Sequence, residues 1–406
     1  MKYNETLNYI HSLGAFSHKA GLERITAVCR KLDNPQNSFK SIHIAGTNGK
    51  GSVCSFVSSA LVAAGYKVGT FVSPYITDFC ERIQINGEYI SRDDLCRLSE
   101  NVINTGVVLT EFEFITAVGF LYFAENKIDV AVLETGLGGK FDATNVISNP
   151  LISVITKIGL DHTAVLGSTL SQIAEEKCGI IKNERVVTSY NQHIDALTVI
   201  KKHAPQVIIP QKSALTNVKI DILGNAFLYG GESYKTSLGG DYQIENALIA
   251  IETLKNCGLD VGVSHIKEGM KNAFIPARLE AASTNPLIVI DGAHNPDGAC
   301  ALSAALKKYS EVTAIVGVMR DKNYAAVLRT TLPFCKSVIC TVPDIPRALT
   351  AAELADTAKK YCSNVFVADT LKDAVALAKE KSEGKPIFVF GSLYLASQIR
   401  PLLNDE

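Results

Sequence analysis

The stretch Ser41-Ile42-His43-Ile44-Ala45-Gly46-Thr47-Asn48-Gly49-Lys50-Gly51-Ser52 decides how the chain is read. A short apolar strand, Ser41 to Ala45, enters a glycine-rich loop, and a helix is expected from Ser52 to Ala64, closed by Gly65. In that setting backbone amides and a helix N-terminus can wrap a polyphosphate, and glycine lets the backbone come close to it. Lys50 would contact the terminal phosphates, and Ser52 would reach a Mg²⁺ ion bridging them. The spacing departs from the usual phosphate-loop pattern, which wants a glycine five positions before Gly49 and here finds Ile44. The plainer alternative is a glycine turn with no ligand.

Outward from the loop, short runs rich in Val and Ile alternate with longer segments of helical periodicity, the pattern of a parallel sheet covered on both faces. The fold class is α/β. Further strands are expected at Lys67 to Val72, Asp129 to Leu133 and Leu151 to Thr156. Thr110 and Glu113 have capping-box spacing before an apolar helix that reaches Phe123, and Asn86-Gly87 is a hairpin turn signal. The Gly- and Tyr-containing text from Asp221 to Gly240 reads as a small antiparallel excursion, after which Tyr242 to Cys257 is helical. The first domain is therefore expected over 1–276, with an aperiodic linker over 277–286. A second, smaller Rossmann-like domain over 287–406 has strands at Leu287 to Ile290, Thr313 to Val318, Ser337 to Thr341, Val365 to Ala368 and Pro386 to Phe390. A crevice between two such domains is a usual place for a substrate.

With 406 residues, 47% of them apolar and 20% charged, the chain has ample core for two or three domains. Lys+Arg at 40 against Asp+Glu at 41 gives a net charge of −1 and no global attraction to nucleic acid or to an anionic membrane. Any bound anion must be held by a local site. No signal-peptide pattern opens the sequence, and no apolar run approaches the roughly 18 residues a membrane span needs. The ten cysteines contain no Cys-x-x-Cys pair, and Cys54, Cys178, Cys257 and Cys340 sit among apolar neighbours. Reduced thiols in a cytoplasmic protein, without a zinc site, are the expectation.

Other polar groups stand at strand ends. Glu134 follows the strand Asp129 to Leu133, at the edge where the phosphate loop also lies, and offers the oxygen ligand a hard cation wants; alone it would read as a solvated carboxylate. His162 ends a strand-like segment and suits either a metal or phosphate role or a structural one. Lys177, by composition alone, reads as a surface helix lysine. Asp291 and His294 in Asp291-Gly292-Ala293-His294-Asn295-Pro296 suit ligand binding or a hydrogen-bonded turn. Gly391-Ser392 offers a helix N-terminus to an anion or is only a capped helix start.

Taken in order, Gly21-Leu22-Glu23-Arg24, Asn34-Pro35-Gln36, Gly46 to Ser52, Ser73-Pro74, Glu81-Arg82-Ile83, Glu134 to Gly139, Asp142-Ala143-Thr144-Asn145, Gly159 to His162 and Asp291 to Asn295 resemble the folylpolyglutamate synthase and dihydrofolate synthase family, within the Mur ligase superfamily. The resemblance runs from about residue 9 to 395. It implies a P-loop-containing, Mur-ligase-like central domain followed by a Rossmann-like domain. It also implies an ATP-dependent amide ligase in which a pteroate or folate carboxylate attacks the γ-phosphate, and L-glutamate then attacks the acyl phosphate. Chemically this fits, since a carboxylate is a poor electrophile until one oxygen becomes a phosphate leaving group.

The resemblance further implies Mg²⁺ ligands at Ser73, Glu134 and His162 with Ser52 nearby, and a carbamylated lysine at Lys177, reversing the surface reading. The loop Gly46, Thr47, Asn48, Gly49, Lys50, Gly51 and Ser52, with Asn246, Arg278 and Asp291, would contact ATP, Arg278 coupling domain closure to it. Arg82, Thr110, Phe112 and Asp142 would serve the pterin substrate, and His294 and Ser392 the glutamate side; Lys50, His162 and Lys177 would be catalytic. Three departures stand out: Lys140 where Arg is common, Ala277 where Gly is common, and Asn323 where Asp is common. Lys140 lacks the bidentate grip of Arg on a carboxylate, which bears on substrate choice. The alternatives are a monofunctional member, a peptidoglycan-type Mur ligase, and a nucleotide-binding module without ligase chemistry. Only 45 residues precede Gly46, short of the nucleotide-sugar domain the peptidoglycan type carries there. The resemblance leans toward a monomer.

Overall fold

The computed structural model describes residues 1–14 and 21–404. Contacts divide the chain into two compact units. The first comprises Met1–Asn217, Phe227–Lys235 and Gln243–Ala273, and the second Val218–Ala226, Thr236–Tyr242 and Phe274–Glu406.

The first unit is built on eight strands: β1 (Lys40–Ala45), β2 (Val68–Phe71), β3 (Ile83–Ile85), β4 (Glu88–Tyr89), β5 (Val130–Glu134), β6 (Ile152–Ile155), β7 (Arg185–Thr188) and β8 (Gln206–Ile208). They lie in the order β4-β3-β2-β5-β1-β6-β7-β8, with every pairing parallel except those of β3, which runs antiparallel to both β2 and β4 at one edge. Val130, Val132, Ile152 and Val154 are wholly buried, as are Ala131 and Ser153 between them, so both faces of the sheet are covered by helices. One apolar cluster gathers Phe71, Phe114, Phe120 and Phe123, and another gathers Ile155, Ile173, Cys178 and Val186. In the hairpin turn Asn86 and Gly87 have φ of 52° and 85°, the left-handed pair such a turn needs.

Register places the site. Ile44 is opposite Glu134, Ala45 opposite Ile155, and Phe71 opposite Leu133. The loop after β1, the Glu134 carboxylate, the 156–159 turn and Ser73 therefore all emerge at one carboxyl edge of the sheet.

Three further strands, β9 (Leu215–Asp221), β10 (Gly224–Tyr229) and β11 (Glu232–Thr236), form a separate sheet in the order β11-β10-β9. Their short connections make it a meander, the expected antiparallel excursion. The second unit carries β12 (Glu280–Thr284), β13 (Leu287–Ile290), β14 (Val312–Val316), β15 (Cys335–Cys340), β16 (Val365–Val367) and β17 (Ile387–Phe390), ordered β12-β13-β17-β14-β15-β16. All pairs are parallel except β12–β13. The expected linker over 277–286 is thus corrected, because it holds an edge strand. A register shift between Ala281 and Ser283 breaks the two-residue alternation that would have revealed it.

Candidate active site

The helix after the loop runs Lys50–Ala63, two residues earlier than its sequence pattern suggests. Gly49 precedes it at φ 92°, and a Cβ there would collide with the side-chain oxygen of Asn246, so a glycine is required both by conformation and by the close approach of the helix Tyr242–Asn256. Across the loop, the amides of Thr47 and Asn48 donate to the Lys157 carbonyl at 3.0 and 3.2 Å, and the Gly159 amide donates to the Thr47 hydroxyl at 3.0 Å.

Inside the loop, the Lys50 ammonium donates to the Gly46 carbonyl at 3.2 Å and stands 3.9 Å from the Glu134 carboxylate. Glu134 is buried and accepts from the Ser73 amide at 3.2 Å, so Lys50, Ser73 and Glu134 are brought together. Lys177 joins them: its ammonium also donates to the Gly46 carbonyl, at 2.8 Å. The surface reading of Lys177 is corrected. The helix Leu170–Cys178 buries Ile173, Ala174, Lys177 and Cys178 on one stripe, and Lys177 is only 4% exposed. Burial, then the neighbouring Lys50 charge, pushes its pKa down to about 7. His162 is different; it sits at φ 48° with an exposed ring 3.8 Å from its neighbour Asp161.

Among the described residues, no group of three or more His, Cys, Asp or Glu side chains forms a ready metal cage. Mg²⁺ does not demand one, since it binds through one or two carboxylates and completes its shell with waters and phosphate oxygens. One buried carboxylate beside an anion loop, with Ser52 buried in the first turn of its helix, fits such shared ligation.

The residues expected on the pterin side also converge. Phe112 lies in the first turn of the helix Glu111–Glu125, and its ring so covers Gly136 that a Cβ at Gly136 would come within 2.6 Å of it. Arg82 is buried beside the Tyr75 and Phe79 rings, at 5.1 and 5.3 Å, and 3.6 Å from Glu111; burial holds its guanidinium below its ordinary pKa. Its Nε is buried and makes no hydrogen bond among the described residues. Thr110 and Asp142, by contrast, spend their polar atoms locally. The Thr110 hydroxyl completes the capping box with Glu113, which Arg24 grips at 2.9 Å. Asp142 accepts from the amides of Gly136 and Leu137 at 2.8 and 2.9 Å, and from the amide and hydroxyl of Thr144 at 3.0 and 2.5 Å. It shapes the turn under Phe112, and burial raises its pKa against those hydrogen bonds.

In the second unit, Asp291 and Ser392 stand at the carboxyl ends of β13 and β17, which run side by side. The buried Asp291 carboxylate accepts from the amides of Leu279 and Ala293 at 2.9 and 2.8 Å, and burial raises its pKa although Arg278 opposes the shift. Ser392 caps the helix Leu393–Asn404 by accepting from the Leu395 amide at 3.0 Å, as the plainer of its two readings expects. The His294 ring Nδ1 lies 2.9 Å from the Gly292 carbonyl, which fixes Nδ1 as the donor. Asn323 caps the helix Tyr324–Thr331, a task Asn and Asp do equally well.

Residues 44–254 match the Mur ligase middle domain and residues 277–393 match the Mur ligase glutamate ligase domain. The folylpolyglutamate synthase of Lacticaseibacillus casei is 38% identical over 99% of both chains. The chain belongs to the folylpolyglutamate synthase and dihydrofolate synthase family of Mur ligases. The dihydrofolate synthase/folylpolyglutamate synthase of Bacillus subtilis is 34% identical over 99% of both chains. Escherichia coli FolC, solved in complex with DHPP and ADP, superposes with a TM-score of 0.86 at 27% identity, covering 100% of this chain and 98% of that one. The fold of the Mur ligases is thus present throughout, a phosphate-loop unit followed by a Rossmann-like one.

Sequence reasoning within this family missed several groups that shape the site. Gln192 bonds to Thr156 and Ile158 on either side of Lys157, and His43 bonds to the Thr144 hydroxyl that donates to Asp142. The partners of Gln192 at Thr156 and Ile158, and of His43 at Thr144, lie far away in sequence, so no local pattern marks either residue.

Proposed function

We propose that this Mur ligase joins L-glutamate to dihydropteroate, to reduced folates, or to both, at the expense of ATP. The observation that carries the reading is the convergence of Lys50, Lys177 and buried Glu134 on one glycine loop at the sheet edge. ATP would lie with its phosphates on the loop Gly46 to Ser52, with Asn246 beside Gly49. The substrate carboxylate oxygen attacks the γ-phosphorus as the bond to the β-phosphate oxygen breaks, releasing ADP. The glutamate amine then attacks the acyl carbon, phosphate leaves, and the nitrogen loses a proton. Lys50 offsets the charge gathering on the transferring phosphoryl group.

Mg²⁺, when bound, supplies Lewis-acid stabilisation of the phosphate oxygens; Glu134, Ser52, Ser73, His162 and Lys177 are the residues that would hold it. Lys177 is suited to carbamylation, because a lysine with a pKa near 7 offers a free amine at neutral pH. Its nitrogen attacks CO₂, a C–N bond forms, one proton leaves, and an anionic oxygen ligand results. Arg82 and Phe112 would meet the pterin substrate, with Thr110 and Asp142 fixing the surface under it, and His294 and Ser392 would serve glutamate.

The test is phosphate release with Mg²⁺-ATP and L-glutamate, comparing dihydropteroate, a tetrahydrofolate and no pterin, with products weighed by mass spectrometry. A glutamate-sized gain on both substrates makes the protein bifunctional, and a gain on one makes it monofunctional. ATP binding with no gain on either would sink the ligase reading.

A further inference from the structure

Gln192 precedes the helix Ile194–His203 and uses every polar atom of its side chain. Its amide nitrogen donates to the Thr156 carbonyl at 2.7 Å and to the Thr188 hydroxyl at 3.0 Å, while its oxygen accepts from the Ile158 amide at 3.0 Å. The Thr188 hydroxyl donates in turn to the Ile155 carbonyl at 2.7 Å. One side chain therefore straddles the end of β6 and both flanks of Lys157. The Lys157 carbonyl accepts from the amides of Thr47 and Asn48, and Gly159 exchanges hydrogen bonds with the Thr47 hydroxyl. The phosphate loop leans on a turn that belongs to no strand or helix and is tied by an isolated bridge between Lys157 and Asn48, by the Thr156 amide on the Ala45 carbonyl, and by Gln192.

We infer that Gln192 is a positioning residue, fixing the phosphate loop in its nucleotide-binding geometry by bracing the 156–159 turn. It touches no substrate; it acts through the Lys157 carbonyl and Gly159. Loss of the brace lets the turn shift, and the amides of Thr47 and Asn48 shift with it. A loop of oriented amides loses affinity steeply when displaced, because each donor must point at a phosphate oxygen. The inference rests on reading the loop as a nucleotide site.

The experiment is calorimetric titration of the full chain with Mg²⁺-ADP, well below the melting temperature, for wild type, Gln192→Ala and Gln192→Glu. Thermal midpoints are recorded without nucleotide. Glu keeps the size of Gln and the acceptor for Ile158 but removes the donor to Thr156, so packing is preserved while the brace is cut. Both variants are expected to bind ADP about tenfold more weakly, the cost of one or two lost hydrogen bonds transmitted to the loop. In turnover, the KM for ATP should rise and the KM for L-glutamate should not. If Gln192→Glu binds ADP like wild type, the inference is overturned, whether or not Gln192→Ala melts early. Failure of the wild-type protein to take up Mg²⁺-ADP would instead remove the nucleotide reading beneath it.

Discussion

The ammonium groups of Lys50 and Lys177 share one acceptor, the carbonyl oxygen of Gly46, at 3.2 and 2.8 Å. Burial, and then the Lys50 charge on the same carbonyl, pushes Lys177 down to about 7, while Lys50 stands 3.9 Å from Glu134. If Lys177 works as a carbamate, its free amine is the form that reacts, and that form is lost as pH falls below about 7. Activity after equilibration with bicarbonate should therefore decline from pH 8 to pH 6. Lys177→Arg, which keeps a charge but cannot be carbamylated, should lose about a hundredfold, the scale of losing a metal-supporting group. Wild-type rates for Lys177→Arg would end the carbamate proposal.

Lys50→Ala should lower turnover by about a hundred- to a thousandfold, the usual effect of removing one group that stabilises transition-state charge. Single-turnover phosphate release, which separates chemistry from binding, is the measurement. A drop in ATP affinity with unchanged chemistry would assign Lys50 to binding alone.

Ala277 is wholly buried at φ 52°, a left-handed conformation that an L-residue adopts at a cost of about 1–2 kcal/mol. Its amide donates to Glu280 and its carbonyl accepts from Gly292, so the backbone is held there. Ala277→Gly relieves the strain, partly offset by the greater freedom of glycine in the unfolded chain, and should stabilise the second unit by about 1 kcal/mol. Denaturant unfolding reads it, and a lower midpoint would show that the lost methyl packing outweighs the strain.

His43 lies wholly buried on β1, with Nε2 at 2.8 Å from the Thr144 hydroxyl. Because that hydroxyl donates to Asp142, Nε2 carries the proton. Burial, then the Lys182 charge, pushes its pKa down to about 3, below the ordinary value near 6.5. Between those values the unfolded chain binds a proton that the folded chain refuses, so stability falls as pH drops from about 6.5 toward 3, by about 1.4 kcal/mol per pH unit. His43→Gln should flatten the acid limb of a stability–pH curve by about one proton. An unchanged slope would mean that His43 titrates in the folded state.

Much of this was legible from short stretches of sequence, and what was missed shares a cause. The loop, Glu134 at a strand end, the capping box of Thr110 and Glu113, and the Asn86-Gly87 turn are local signals, and all appear where the text puts them. Lys177 looked superficial because a single lysine in a polar segment usually is. Its place on the same stripe as Ile173 and Ala174 was the contrary signal. The edge strand β12 escaped because a bulge disrupts its alternation. Gln192 bonds to residues more than thirty positions away, a relation that only the fold creates.

The strand that carries the phosphate loop has a consequence for how the protein is made. β1 pairs with β5 and β6, not with β2, so both of its neighbours are synthesised long after it. A nascent chain that has emerged only to Glu125 contains the loop and its helix but neither strand beside them, and it lacks Glu134 and the 156–159 turn as well. The parts of the site that Glu134 and the 156–159 turn supply are therefore made only after the loop and its helix. The loop gains its full surroundings only once β5 and β6 close on β1, so a ligand held by those surroundings stabilises the finished unit by binding its folded form.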